Sequence, residues 1–538
     1  MAIGHAILVG SERVALPGAR AIGRANAHAT IEVSLKLRRK APLAALTGRP
    51  STTMTRRSLA ATYGASPKDV AKVTAVFKRL GLSTVHADPI TRTVRLSGTV
   101  AAMEAAFVVK LINYAHPDGD YRGRVGAVHV PMDVQDIVQG VFGLDNRRVV
   151  RRRRQPVRDT SPMKALSAVP ASWYIPSQLA SHYNFPPGDG SGQAVGILEF
   201  GGGYFAEDLQ TFCTLAGVGV PKVTPISTDG TSTSAHDGAE GEVMLDIEVV
   251  AGVCPNATIV VYFADFTEQG WITALDAAVH DGSNDPGVVS ASWGYAEDAD
   301  IWTTQAMTQV NATLQEAALL GVTVCIAAGD DGSSDATSDG HAHVDFPGSS
   351  PYVLAVGGTT IPVKGGKKPD IVWKEGDGLR ADNGGSTGGG CSAVFPRPAW
   401  QQAVKIRSVN PGAIVGRVMP DVAANADWIA SPYLLVVGGQ AQANGGTSAA
   451  TPLCASLIAL MNAARGPGKR VGYLTPVLYQ GKAGGTGTTV GTLGCADVLT
   501  GENSTDTIGG YHAGPNYDAV SGWGTPNGKK LLAALPTS

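Results

Sequence analysis

Charge is scarce in this chain. Asp, Glu, Lys and Arg make up 16% of its 538 residues, against about a quarter in typical soluble domains. No run of 18 or more apolar residues occurs, so a membrane span is not expected. The opening stretch, MAIGHAILVGSERVALPG, has neither a basic start nor a proper apolar segment behind it, so no standard secretory signal is read there. The six cysteines are Cys213, Cys254, Cys325, Cys391, Cys454 and Cys495. None forms a CxxC and none sits with histidine at zinc-ligand spacing, so they are expected to be small buried residues or free thiols.

The net charge of −2 conceals an asymmetry: residues 1–160 carry a net +15 and the remainder a net −17. Oppositely charged halves attract at neutral pH, so the N-terminal part is a candidate intramolecular partner for the rest. The length also predicts two or more domains.

The first ~145 residues read as a small α+β domain. HATIEVSLKL (28–37) alternates like a half-buried strand. In 65–83, Ser66 is placed to cap a helix that opens with Pro67 and carries a stripe of Val70, Val73, Val76, Phe77 and Leu80. TRTVRLSGTV (91–100) reads as a strand, and 101–112 and 134–144 read as helices. Seven arginines then fall within 147–158, a solvated, cleavable linker candidate rather than a nucleic-acid patch, since no folded basic face accompanies them. Beyond residue 171, apolar strands alternate with helices: 194–200, 258–264, 287–293, 322–328, 352–358 and 433–439. That alternation predicts a doubly wound parallel sheet, with functional groups at the carboxyl ends of its strands.

NGGTSAATPL (444–453) sets Ser448 at the mouth of an expected helix, where free N–H groups favour developing negative charge. A serine nucleophile needs a base, normally histidine. Of the six histidines after residue 160, none opens a long helix in an HGT context, and His236 is the near miss. The alternative lies beside it. GEVMLDIEVVAGV (241–253) is a helix apolar nearly all round, with Glu242 and Asp246 at i and i+4 on one face. Like charges at that spacing cost stability, more so when buried, which marks them as functional candidates. Glu199, Trp293 and Asp330 each fall at the end of an expected strand.

GEVMLDIEV, SASWG, AAGDDGSSD and GGTSAATP, in this order and at these intervals, resemble the sedolisin family of serine-carboxyl peptidases, above all its kumamolisin branch. The resemblance covers nearly the whole chain. It implies a subtilisin-like catalytic domain over 171–538, a small ferredoxin-like propeptide domain over 1–147 and a processing linker over 148–170. It also implies Ser448 as nucleophile, Glu242 as general base, Asp246 orienting that base, Asp330 donating to the oxyanion, and Glu199 and Trp293 extending the network. CADVLTG (495–501) and YHAGPNYDAVSGWGTP (511–526) resemble the family's calcium loops. One Ca²⁺ would be held by the carboxylates of Asp497 and Asp518 and the carbonyls of Val498, Gly514 and Asn516, hard oxygen donors suited to that ion. The family usually has glycine where Asn516 stands. Asp345 in HVDFPG is a candidate for a substrate pocket, and 388–398 for a cleft wall.

The expected activity is an acid-active endopeptidase. Carboxyls crowded together share protons, and a carboxylate base suits acid. Peptides or proteins would be its substrates, its own propeptide an intramolecular inhibitor released by self-cleavage at low pH, and the mature enzyme a monomer working outside the cell. No nucleic-acid or membrane partner is expected. The rivals are a Ser-His-Asp peptidase using His236 and a non-catalytic, calcium-stabilised binding protein.

Overall fold

The computed structural model describes residues 4–117, 119–152, 169–366, 368–382, 384–481, 488–506 and 508–536. Most of the expected linker, 153–168, lies outside these.

The N-terminal part builds a four-stranded antiparallel sheet from β1 (Thr30–Leu37), β2 (Ser83–Asp88), β3 (Thr93–Thr99) and β4 (Val138–Phe142), in the order β2-β3-β1-β4. Helix α1 (Pro67–Arg79) links β1 to β2, and α2 (Val100–Phe107) follows β3, which is the βαββαβ ferredoxin-like pattern. Ser66 caps α1, accepting from Lys68 N, and Val73, Val76 and Phe77 are buried on its stripe.

Two of the expectations here need correction. The helix expected over 101–112 stops at Phe107, because Val108 turns left-handed (φ 53°). The helix expected over 134–144 is a strand. Its apolar residues do have helical spacing, but Gly143 holds φ 101°, and β4 completes the sheet edge beside β1. Cross-strand pairing outweighs the local period.

The rest of the chain winds about one eight-stranded sheet. Its strands are β5 (Ala194–Phe200), β6 (Lys222–Ser227), β7 (Thr258–Ala264), β8 (Val288–Ala291), β10 (Thr323–Ala327), β12 (Leu354–Thr360), β13 (Ile371–Val372) and β14 (Val422–Asn425). The order is β6-β7-β5-β8-β10-β12, and β12 pairs both β14, in parallel, and β13, the one antiparallel member. On one face lie α3 (Ala206–Ala216), α4 (Glu240–Val253) and α7 (Thr447–Arg465); on the other lie α5 (Glu268–His280) and α6 (Thr304–Leu320). Helix α7 is long and apolar enough to cross a bilayer, but 89% of its apolar window is buried inside the protein, so it is a core helix here. All six cysteines are free thiols, five of them buried.

Two of the expected strands sit differently from expectation. The 287–293 segment divides into β8 and β9 (Trp293–Ala296), and β9 leaves the main sheet to pair with β11 (Asp345–Phe346). Residues 433–439 do not join the sheet. β15 (Tyr433–Val437) forms a hairpin with β16 (Gln440–Asn444), and the turn residues Gly438 and Gly439 both have positive φ (62° and 72°). A Gly-Gly pair between apolar runs is a hairpin signal.

The N-terminal domain docks onto α5 and α6. Lys36 Nζ meets Asp276 at 2.5 Å, Arg39 meets Glu316 at 2.6 Å, and Arg13 meets Glu268 at 3.0 Å. The Gln305 amide bonds both main-chain groups of Val141 in β4. Apolar packing adds to these pairs: Leu59, Phe142, Val149 and Val150 belong to the same buried cluster as Trp271, Trp293 and Leu314.

Candidate active site

Helix α4 is buried on every side because its sequence is apolar nearly all round, so its acids have nowhere polar to go except inward. Glu242, Asp246 and, on neighbouring β5, Glu199 are all fully buried. Trp293 Nε1 donates to Glu199 Oε2 at 2.9 Å. Burial, and then the adjacent Glu242, hold the Glu199 carboxyl well above its ordinary range, against the pull of that indole N–H. Asp246 is likewise held well above its range, by burial first and then by Glu199 and Glu242. Carboxyls this close titrate as a group.

Ser448 is the second residue of α7, whose N-cap is Gly446. The turn needs its glycines. Gly446 has φ 87°, and a Cβ on Gly445 would lie 2.4 Å from the Ala426 carbonyl. Ser448 is fully buried, and its Oγ has no hydrogen-bond partner among the described residues.

Ser292 joins the two halves of the site. Its hydroxyl lies 2.8 and 3.0 Å from the two carboxyl oxygens of Asp246 and 3.2 Å from the main-chain oxygen of Ser448. Asp330, just past β10, takes the N–H of Thr447 at 2.8 Å and its hydroxyl at 2.7 Å, both on Oδ1. The next residue, Asp331, forms a buried ion pair with Arg380. Glu199, Trp293 and Asp330 thus stand at the carboxyl ends of β5, β8 and β10, where a doubly wound sheet gathers its functional groups. Ser292, Thr447 and Arg380 were not singled out from the sequence. Ser292 and Thr447 lie inside the diagnostic motifs SASWG and GGTSAATP, and strand alternation puts the Ser292 side chain opposite that of Trp293.

His236 takes no part in this arrangement. Its ring is exposed, stacked on Phe205 at 4.3 Å, and no hydrogen bond joins it to Ser448 among the described residues. Asp345 is buried and pairs in register with Ala296 at the edge of β9. The 388–398 segment is tied to the end of β9 through Glu297, which accepts from Ser392 Oγ at 2.9 Å and from Ala393 N at 2.6 Å. Burial raises Glu297 to about 7, against the serines that donate to it.

The other edge of β9 is occupied. Arg151–Arg152 pairs with it as an antiparallel strand, Arg151 opposite Gly294 and Arg152 opposite Trp293. Just upstream, Val149 N donates to Phe266 O at 2.9 Å, and the Arg148 guanidinium lies over the Phe266 ring.

In the C-terminal loops, Asp497 Oδ2 accepts from Asn516 N at 2.8 Å, and Asp518 Oδ2 from Gly514 N at 3.0 Å. Asn516 has φ 71°, the left-handed conformation that asparagine tolerates better than most residues, which accounts for its standing where glycine is usual. The Asn516–Asp497 bond ties the two loops together, and the carboxylates and carbonyls named for Ca²⁺ are hard oxygen donors, a chemistry that fits the ion.

A subtilisin-like sheet with a Gly-Gly-Thr-Ser helix start and a buried carboxyl cluster in place of histidine defines a class, the serine peptidases that work without a histidine base. The Subtilase family matches residues 229–477, and the pro-kumamolisin activation domain matches residues 17–147. Kumamolisin from Bacillus sp. (strain MN-32) is 40% identical, over 98% of this chain and 96% of its own. Sedolisin from Pseudomonas sp. (strain 101) is 30% identical, over 95% of this chain and 88% of its own. The solved structure of Pseudomonas sedolisin complexed with two molecules of pseudo-iodotyrostatin matches with a TM-score of 0.58 and 28% identity, covering 68% of this chain and 98% of that one. The chain belongs to the sedolisin family of serine-carboxyl peptidases and is made as a zymogen.

Proposed function

We propose that the chain is an acid-active endopeptidase in which Ser448 attacks the scissile carbonyl while Glu242 takes its hydroxyl proton. Asp246 orients Glu242, and Glu199, held by the Trp293 indole N–H, extends the network of shared protons behind it. The tetrahedral oxyanion receives a hydrogen bond from protonated Asp330. Glu242 then returns the proton to the leaving amine, the C–N bond breaks, and water, deprotonated by Glu242, releases the acyl group from Ser448. The observation that carries this reading is the Ser292 bridge, which ties the buried carboxyl cluster to the nucleophile's own residue. Carboxyls that hold their protons suit a low working pH. Ser448→Ala and Glu242→Ala should each abolish cleavage of a quenched peptide at about pH 3–4, where ordinary carboxyls titrate; activity surviving in either variant overturns the assignment.

The zymogen is held closed, in this reading, by its own main chain. Arg151–Arg152 takes the strand edge of β9 that a peptide substrate would take by strand addition. Acid weakens the carboxylate side of the docking pairs, and self-cleavage within 146–170 frees the cleft. Mass spectrometry of an acidified sample should find ends in that window; a fully active yet uncut chain argues against it. Asp345 lines the substrate cleft beside β9. One Ca²⁺ is held by Asp497, Val498, Gly514, Asn516 and Asp518, where it would cross-link the C-terminal loops. Secretion and a monomeric mature enzyme follow from the family resemblance.

A further inference from the structure

Helix α4 carries a third buried acid, Glu248, which plays no part in the chemistry above. It sits on the face away from Glu242 and Asp246, fully buried, and its Oε2 accepts the Val436 N–H at 2.7 Å. Its Oε1 has no hydrogen-bond partner among the described residues. A buried carboxyl is a costly way to satisfy one N–H, so its position needs a reason.

The reason lies in what Val436 belongs to. β15 is the buried strand of the hairpin, packed on α3 and α4, and the N–H groups on its free edge are each met by a different element. Leu434 N donates to Tyr174 O, Val436 N to Glu248, and the turn residues Gly438 and Gly439 to the Asp208 carboxyl on α3, both at 2.8 Å. Its more exposed partner, β16, ends at Asn444, four residues before Ser448, and the chain between is fixed by Gly446 N to Ala426 O at 2.7 Å and by Thr447 to Asp330. The same helix therefore holds the general base on one face and the support of the nucleophile's lead-in strand on the other.

We propose that Glu248 is a positioning residue, a carboxyl that docks the β15–β16 hairpin onto α4 and so sets Ser448 against Glu242. This rests on the reading of Ser448 as nucleophile. Among the described residues, the titratable groups that face Glu248 are Asp208 and Cys213 of α3, with no cation. Burial raises the carboxyl well above its ordinary range; the Val436 N–H opposes that and Asp208 adds to it. Glu248 is thus a neutral acceptor in acid. Its contribution to stability is complete below the ordinary carboxyl range and is lost as pH rises towards the raised value in the folded protein.

Two variants of the full chain, activated in acid, test this. Glu248→Leu removes the acceptor and should lower kcat about tenfold with KM changed less than about twofold, the size expected for one lost buried hydrogen bond felt at the reacting group. It should slow labelling of Ser448 by a fluorophosphonate probe in parallel. Glu248→Gln keeps an acceptor that cannot ionise. It should hold kcat within about twofold and reduce the loss of Tm between pH 4 and pH 8. Unchanged kcat in Glu248→Leu, or a Tm–pH curve of Glu248→Gln that overlays the wild type, overturns the proposal. Should Glu248→Leu fail to fold, Glu248→Gln alone decides. The Tm curves need no catalysis, so they report on Glu248 even if Ser448→Ala proves active and the nucleophile assignment falls.

Discussion

Asp330 and Thr447 meet twice: one carboxyl oxygen of Asp330 accepts both the main-chain N–H and the hydroxyl of the residue just before the nucleophile. The two contacts occupy Oδ1, so donation to an oxyanion requires a proton on Oδ2. The same contacts fix the start of α7, so this one side chain both shapes the helix entrance and is the proposed source of electrostatic stabilisation.

Asp330→Ala should therefore lower kcat by about 10²–10³-fold, the usual loss for one oxyanion donor. Asp330→Asn keeps an acceptor for Thr447 and offers an amide N–H at any pH. It should recover a large part of that loss, and its pH profile should extend further towards neutrality. Steady-state kinetics from pH 2 to 7 distinguish the two variants.

Ser292→Ala should cut kcat by about ten- to a hundredfold, since it deletes a donor to a buried carboxyl. The pH profile should move as well. The Ser292 hydroxyl pulls Asp246 downward against the burial that raises it. Without it, Asp246 keeps its proton to higher pH, and the acid limb of kcat/KM should shift upward. A profile of unchanged shape would mean that Ser292 serves the fold alone.

Glu316 should govern the acid stability of the zymogen. Burial alone would raise its carboxyl, but His280, Arg39 and Arg92 together outweigh that and hold it far below the ordinary range. A carboxyl lowered in the folded state contributes fully at neutral pH, and its contribution disappears as pH falls through the lowered value. In a Ser448→Ala chain, Glu316→Gln should lower Tm by several degrees at pH 7, as expected for ~3 kcal/mol from a broken buried pair. Its Tm should then decline less steeply than the parent's towards pH 2. Differential scanning calorimetry of both chains checks this.

Chelation of calcium should lower Tm by roughly 5 °C, if the ion is present at about a hundred times its dissociation constant. Asp518→Ala, which removes the carboxylate whose Oδ2 accepts from Gly514, should be insensitive to both chelator and added calcium. Equal chelator sensitivity in the variant would remove Asp518 from the ligand set.

Much of this site could be read in the sequence because its cost could be read there. Two acids on an apolar helix are expensive, and Glu242 and Asp246 stand out for that reason. Glu199 and Asp330 followed from the rule that parallel sheets place their chemistry at strand ends. Ser292 and Thr447 did not, since a hydroxyl in a strand or at a helix start is ordinary until its partners, 46 and 117 residues away, are known. The fold shows the same division. The α+β character of the N-terminal part and the main sheet follow from local periodicity, whereas β4 has helical spacing and becomes a strand only because an open sheet edge lies beside it. The hairpin at Gly438–Gly439 was signalled by its dipeptide and obscured by the apolar run around it.

Leu59, Phe142, Val149 and Val150 lie in the same buried cluster as the tryptophans of the catalytic domain. The N-terminal region is thus part of the core against which α5 and α6 pack, besides being the proposed cover over the cleft. If the linker is cut as proposed, the catalytic domain would lose part of that shared packing after it has folded. A catalytic domain that lost part of its core after folding would endure by unfolding slowly, so its lifetime would be a matter of rate rather than equilibrium. Maturation on these terms would be a one-way passage: a cut chain, once denatured, would no longer carry the surface against which α5 and α6 pack.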